Sequence, residues 1–162
     1  MLAVLRSTGL QLLSAVGLLV LACGVSAGTP APKLENSQIE STLDQGKKWE
    51  TDAVVRQGME NIRQVMVARQ ARIAKAELGA QDYRQLAETI EKHLAAVMQN
   101  RKISKGAEKA FHLVVMVDLT QNLNLMRTGA TVPLQRVGAL GVLQSLRLYG
   151  EYFQHPGWVV GV

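Results

Sequence analysis

Histidine is the side chain in this sequence best suited to bind a metal ion or a haem iron. His93 lies seven residues before Asn100, the predicted end of a helix. His112 lies seven residues after Lys105, near the predicted start of the next helix. In an antiparallel pair, residues equally far from the connection lie at the same height, here roughly 10 Å below it. The spacing therefore predicts that the two imidazoles are level.

Two methionines fall near these histidines. By the same counting, Met66 of the first predicted helix lies at their height, and Met116 lies one helical turn from His112. Imidazole and thioether groups suit copper and haem iron. One hypothesis is a copper or haem site formed by His93, His112 and Met66, with Met116 as a further ligand. The other is that the methionines fill the core and the histidines lie at its boundary.

Met59 and His155 form a second candidate pair. An antiparallel bundle brings the start of its first helix to the end of its fourth, where these residues are predicted. Such a Met/His pair resembles the haem ligation of b-type cytochromes with a four-helix bundle, and the bundle is similar in outline to cytochromes c′. The C-x-x-C-H motif of covalent haem is absent, so the resemblance implies only non-covalent haem b. Alternatively, His155 is a helix C-terminal histidine favoured by the dipole.

Four helical segments are predicted to hold these residues. Apolar residues recur at helical spacing over about 50–76, 82–100, 105–127 and 133–155. Ser104 is a candidate N-cap, and Gly129 ends the third helix as a C-terminal glycine does. Strand-like alternation is nearly absent, and short connections favour antiparallel neighbours. The predicted fold is all-α, an up-down-up-down antiparallel four-helix bundle.

Each helix is predicted to turn one apolar face towards the core. The predicted inward residues are Val55, Met59, Ile62, Met66 and Ile73 in the first helix, Tyr83, Leu86, Ile90, Leu94 and Val97 in the second, Ala107, Phe111, Val114, Val115, Leu119 and Met126 in the third, and Val137, Leu140, Leu143, Leu146 and Phe153 in the fourth.

The N-terminal residues have the pattern of an export signal. Arg6 is the only charge before Lys33, an apolar run extends from Leu10 to Cys23, and small residues follow at 25–27. The run is short for a membrane span of about 20 residues, which leaves a retained signal anchor as the alternative. We predict export to the periplasm. The predicted organisation is a signal peptide at 1–27, a Pro-rich and polar tether at 28–48 and a four-helix bundle domain at 49–162.

Cys23 leaves another interpretation of this signal open. The stretch 20–24, VLACG, loosely resembles a bacterial lipobox, in which the cysteine becomes the lipidated first residue. A lipobox favours leucine where Val20 lies and a smaller residue where Leu21 lies. The protein is expected to meet a membrane only through such an anchor. Either way the mature chain has no free thiol, so disulfides, thiol catalysis and Cys-ligated zinc are excluded.

Composition and motifs narrow the class of function. Removing residues 1–27 leaves 135 residues and takes away one positive charge, Arg6, so the formal charge falls from +5 to +4. Basic residues are densest at 101–109, a predicted helix connection, and stacking aromatics are scarce, so nucleic-acid binding is not expected. No phosphate loop, nucleophile elbow or paired-carboxylate cleft is recognisable. We therefore predict that the protein is not an enzyme.

Two stretches carry a wider resemblance. Residues 56–63 read RQGMENIR, and residues 149–158 read YGEYFQHPGW. Together they resemble a group of small exported proteobacterial four-helix-bundle proteins without an established activity, similar over nearly the whole mature chain. The resemblance implies a Gram-negative periplasmic protein, but it transfers no functional residue.

The sequence as a whole favours a non-enzymatic periplasmic bundle without a cofactor. Such a protein would act by binding a protein partner or a component of the cell envelope. The alternative function is a metal- or haem-binding bundle, with copper or haem b, in electron transfer or metal handling.

Overall fold

Helices make up most of the chain that the structure describes. The structure, a computed structural model, describes residues 43–160, which form helices with no β-strand among them. The all-α prediction is confirmed. The helical elements are α1 (Ala53–Ala74), α2 (Ala80–Asn100), α3 (Lys105–Phe111), a π-helical segment (His112–Met116), α4 (Val117–Thr128) and α5 (Val132–Tyr152).

Part of the predicted organisation falls outside these residues. The predicted signal peptide with Cys23, and residues 28–42 of the predicted tether, lie outside the described residues. Across residues 43–160, the helices all lack the combination of length and apolar character that a membrane crossing requires.

The third predicted helix contains one turn of a different kind. The Val117 N–H donates to the carbonyl of His112, five residues earlier, instead of four as in an α-helix. This wider turn includes two consecutive buried residues, Val114 and Val115. The extra residue in the turn allows both valines to face the core, whereas His112 itself is exposed.

Side-chain caps fix where three helices begin. The Val55 N–H donates to Oδ1 of Asp52 at 2.7 Å before α1. The Ala107 N–H donates to Oγ of Ser104 at 3.2 Å before α3, which confirms the predicted cap. Thr131 caps α5 through its side chain. Each cap satisfies a backbone donor that the helix itself leaves unpaired.

Backbone contacts join the first and last parts of the described chain. The Trp49 N–H donates to the carbonyl of Tyr152, and the Gln154 N–H donates to the carbonyl of Trp49, each at 2.8 Å. At the other end of α1, Arg136 of α5 donates to the carbonyls of Ile73 at 2.7 Å and of Ala74 at 2.8 Å. The start of α1 therefore lies by the end of α5, and the end of α1 lies by the start of α5.

The core confirms the predicted faces of the first three segments and corrects the fourth. Every inward residue predicted for those three segments is buried. In α5, however, Val137 is 54% exposed and Leu140 is 40% exposed, so their predicted core positions are wrong. Gly138 and Ala139 are buried in their place.

A close approach of α4 to α5 explains this correction. A Cβ added at Gly138 would lie 2.6 Å from the carbonyl oxygen of Asn122 and 2.9 Å from the backbone nitrogen of Met126. The two backbones leave no room for a side chain there. Small residues therefore face α4, and the larger Val137 and Leu140 are turned towards solvent.

Substituting Gly138→Ala is expected to lower the free energy of unfolding by about 1–3 kcal/mol, because the backbone of α4 must move to admit the methyl group. Urea denaturation followed by circular dichroism measures the change. Gly79→Ala is the control, because a Cβ there would meet only Asp82 Oδ2 at 3.7 Å. Equal stability of the two variants would contradict the close approach.

Candidate binding site at the C-terminal strap

The chain after α5 forms a strap, residues 153–160, that packs against α1 and α5. Trp158 is its main anchor: the indole N–H donates to the carbonyl of Leu146 at 3.2 Å, and its ring centroid lies 4.7 Å from that of Tyr149. A Cβ at Gly150 would overlap the Trp158 indole. The glycine therefore allows the strap to lie directly on α5.

Tyr149 connects the strap to the core. Its ring is fully buried and stacks on Phe153 with centroids 5.3 Å apart. Its hydroxyl lies 3.1 Å from Nδ1 of His155. Burial raises the pKa of Tyr149, so the phenol keeps its proton, and the hydroxyl and Nδ1 share one hydrogen bond. A neutral imidazole that accepts this bond at Nδ1 carries its own proton on Nε2.

His155 is held on a second side by the Trp158 indole. The two ring centroids are 4.7 Å apart, and the imidazole is partly buried. Burial lowers the pKa of His155, and Glu60 partly opposes this shift. The neutral imidazole is therefore favoured in the folded protein.

A bidentate ion pair between Glu60 and Arg63 of α1 contacts the strap. Arg63 donates from Nε to Oε2 of Glu60 at 2.7 Å and from Nη2 to Oε1 at 2.6 Å. Gln64 donates to the same Oε1 at 2.9 Å. Hydrogen bonding from Arg63 is the largest cause that lowers the pKa of Glu60 to about 2. Arg63 also donates to the carbonyl of Val159 at 3.1 Å, which links the ion pair to the strap.

Arg56, in the first turn of α1, is held by Thr51, which lies just before that helix. Its Nη1 donates to the carbonyl of Thr51 and lies 3.4 Å from the Thr51 hydroxyl. That hydroxyl donates to the carbonyl of Gln154 at 2.5 Å. The guanidinium is thus held beside Thr51 and Gln154, where the chain before α1 meets the chain after α5.

Two grooves open beside these residues. The first, which we call the strap groove, has a volume of about 360 Å³ and is lined by Ala53, Arg56, Gln57, Glu60, His155 and Pro156. The second, the interhelical groove, has a volume of about 560 Å³ and is lined by Ala53, Val54, Gln57, Gly58, Asn61, His93, Ala96, Val97 and Asn100. Both grooves include Ala53 and Gln57, so they adjoin on the outer face of α1.

The six side chains predicted as ligands lie in different surroundings. Met59 and Met66 are fully buried in the core, and Met116 is partly buried. His112 is exposed. His93 lines the interhelical groove and His155 lines the strap groove. His93 and His155 thus line different grooves, and Met59 and Met66 belong to the same core.

A metal or haem site therefore remains a hypothesis from the sequence. Within residues 43–160, no three His, Cys, Asp or Glu side chains come together in a way that could hold a metal ion. The copper site predicted at His93, His112, Met66 and Met116, and the haem site predicted at Met59 and His155, each combine methionine with histidine, and both stay predictions from the sequence.

Sequence reasoning did not assign a role to most residues of the strap site. Arg56, Glu60 and Arg63 all come from one of the two stretches that carried the resemblance, and Tyr149 and Trp158 come from the other. The structure packs these two stretches against each other. The first stretch is rich in charged residues and the second in aromatic residues and glycine. This composition set the two stretches apart in the sequence, but it did not indicate which side chains meet.

Comparisons with protein-family models, with curated proteins and with solved structures found no match to this chain.

Replacing Glu60 by Gln is expected to destabilise the protein at neutral pH and to have little effect in strong acid. The folded-state pKa of Glu60 is lowered from 4.5 to about 2. Its ionised form therefore stabilises the fold above pH 4.5, and this contribution is lost as the pH falls towards 2. Denaturation midpoints of Glu60→Gln and wild type measured across this range test the prediction.

Glu88→Gln is the matched control for this measurement. Glu88 is exposed on α2 and makes no ion pair with the described residues. A stability difference for Glu60→Gln that stays constant with pH, or that equals the effect of Glu88→Gln, would show that the ion pair does not support the strap.

Proposed function

We propose that this chain is an exported periplasmic protein, folded as an up-down-up-down four-helix bundle, that works by binding and not by catalysis. Its partner is a protein or another component of the cell envelope. The observation that carries the proposal is the pair of adjoining grooves on the outer face of α1, which share Ala53 and Gln57. The export signal of the sequence supports the periplasmic location.

The chemistry of the grooves suits recognition. Amide, imidazole and guanidinium groups line them beside short apolar side chains, which is the mixture of donors, acceptors and apolar contact that a binding site uses. The acidic side chain present, Glu60, is already held by Arg63 and Gln64. The nearby hydroxyl of Thr51 is bonded to a backbone carbonyl. Groups held in this way favour a fixed binding surface over an acid, a base or a nucleophile.

A photo-crosslinking amino acid at Gln57 is expected to capture a partner in the producing cells, because this position belongs to both grooves. Thr120 is the control position, since it is exposed on α4, away from the grooves. The measurement is the pattern of crosslinked bands in the periplasmic fraction. A band that depends on Gln57 supports the proposal. Identical patterns at the two positions, or retention of the protein in the cytoplasm, would contradict it.

The metal- or haem-binding function is the competing proposal from the sequence. Purified protein is expected to show no Soret band and no stoichiometric copper, and to gain neither on reconstitution, because His93, His112 and His155 lie in separate surroundings. Optical absorption and metal analysis measure this. Bound copper that is lost in His93→Ala or His112→Ala, or haem that is lost in His155→Ala, would establish the competing function instead.

A further inference from the structure

We propose that the strap groove binds a small oxyanion, a carboxylate or a phosphate, between Arg56 on α1 and His155 on the strap. This inference rests on the binding function proposed above and names the ligand chemistry of one of its two grooves.

The first reason is that Arg56 has no counter-charge among the described residues. It takes part in no ion pair there. Glu60 lines the same groove, but both of its oxygens are occupied by Arg63 and Gln64. Asp52, one turn before Arg56, accepts from the Val55 N–H and the Lys102 N–H. The groove therefore retains a positive charge that neighbouring carboxylates do not take up.

The second reason is that the side chains of Arg56 and His155 are both anchored at one end and unpaired at the other among the described residues. Arg56 is fixed through Nη1, and its Nε and Nη2 have no hydrogen-bond partner among the described residues. His155 is fixed through Nδ1 by Tyr149, and its Nε2 likewise has no partner there. A guanidinium held in this way presents a planar pair of donors, which matches the oxygens of a carboxylate or a phosphate.

The third reason is the size and lining of the groove. A volume of about 360 Å³ lies at the lower end of the range typical of small-molecule sites. Arg56 and Gln57 belong to the α1 wall and His155 to the strap wall, with Ala53 and Pro156 as the apolar lining. A small anion with a short apolar part fits these surroundings better than a large or strongly apolar ligand.

The test is an NMR titration of the purified protein with succinate and, separately, with inorganic phosphate, each against sodium chloride at matched ionic strength. Saturable shifts at Arg56, His155 and the Trp158 indole are expected with at least one of the two oxyanions, and the arm that binds more tightly identifies the source of the ligand. Arg56→Gln is expected to weaken binding by about 10- to 100-fold, since a charged hydrogen-bonding group is lost.

Two further variants separate loss of binding from loss of folding. Ala53→Glu places a carboxylate three residues before Arg56 on the same helix face, in the first turn, where a negative charge favours the helix. It is expected to abolish oxyanion binding in a fully folded protein, whereas Ala53→Gln retains binding. Arg147→Gln is the control for charge, because Arg147 also lacks an ion pair among the described residues but lies outside the groove.

Absence of saturable shifts with both oxyanions would overturn the proposal, as would binding that Arg56→Gln and Ala53→Glu leave unchanged. Its failure is distinguishable from failure of the proposed function. If the Gln57 crosslink persists in Arg56→Gln while no oxyanion binds the wild type, the protein still binds its partner and only the oxyanion site is wrong.

Discussion

The phenol ring of Tyr149 is buried at the point where the last helix ends, and the whole strap is arranged around it. Phe153 stacks on one face of the ring, Trp158 meets it edge-on, and the hydroxyl is hydrogen-bonded to His155. A buried aromatic with a satisfied hydroxyl gains its apolar contact without an unpaired polar atom. Because the strap contains no helix or strand of its own, these contacts with Tyr149 and those with α1 determine its position.

The position of the strap in turn determines the electrostatics of the site. The ion pair of Glu60 and Arg63 is built within α1, but Arg63 also donates to the backbone of the strap. Arg56 is held by Thr51, which is itself bonded to Gln154. One acidic and two basic side chains on successive turns of one helix thus have different roles. Glu60 and Arg63 neutralise each other next to the strap, whereas Arg56 keeps its positive charge beside the strap groove.

Much of the fold could be predicted from the sequence, because helix periodicity reports burial one helix at a time. The inward faces of α1, α2 and the third segment were predicted correctly, and so was the cap at Ser104. The fourth helix was misread at Val137 and Leu140, because α5 has apolar or small residues on several faces and periodicity alone does not select one. The π turn at 112–116 was not foreseen, since two adjacent buried valines are compatible with an ordinary helix.

The candidate site was less predictable, because it depends on contacts between segments far apart in the chain. Counting residues placed the end of the last helix beside the start of the first, and Trp49 and Phe153 do meet there. Counting did not reveal that His155 would pair with Tyr149. The direction in which a side chain points depends on its rotamer and its neighbours, and spacing along the chain fixes neither.

The sequence by itself therefore determined the helical class and the approximate limits of most helices. It did so because capping, periodicity and helix-ending glycines act over a few residues. It also singled out residues 56–63 and 149–158 as the two stretches that carry the resemblance. Only the tertiary structure decided that the strap folds back onto α1 and which charges on that helix are neutralised. Those outcomes depend on groups about a hundred residues apart, such as Thr51 and Gln154, whose contact no local pattern encodes.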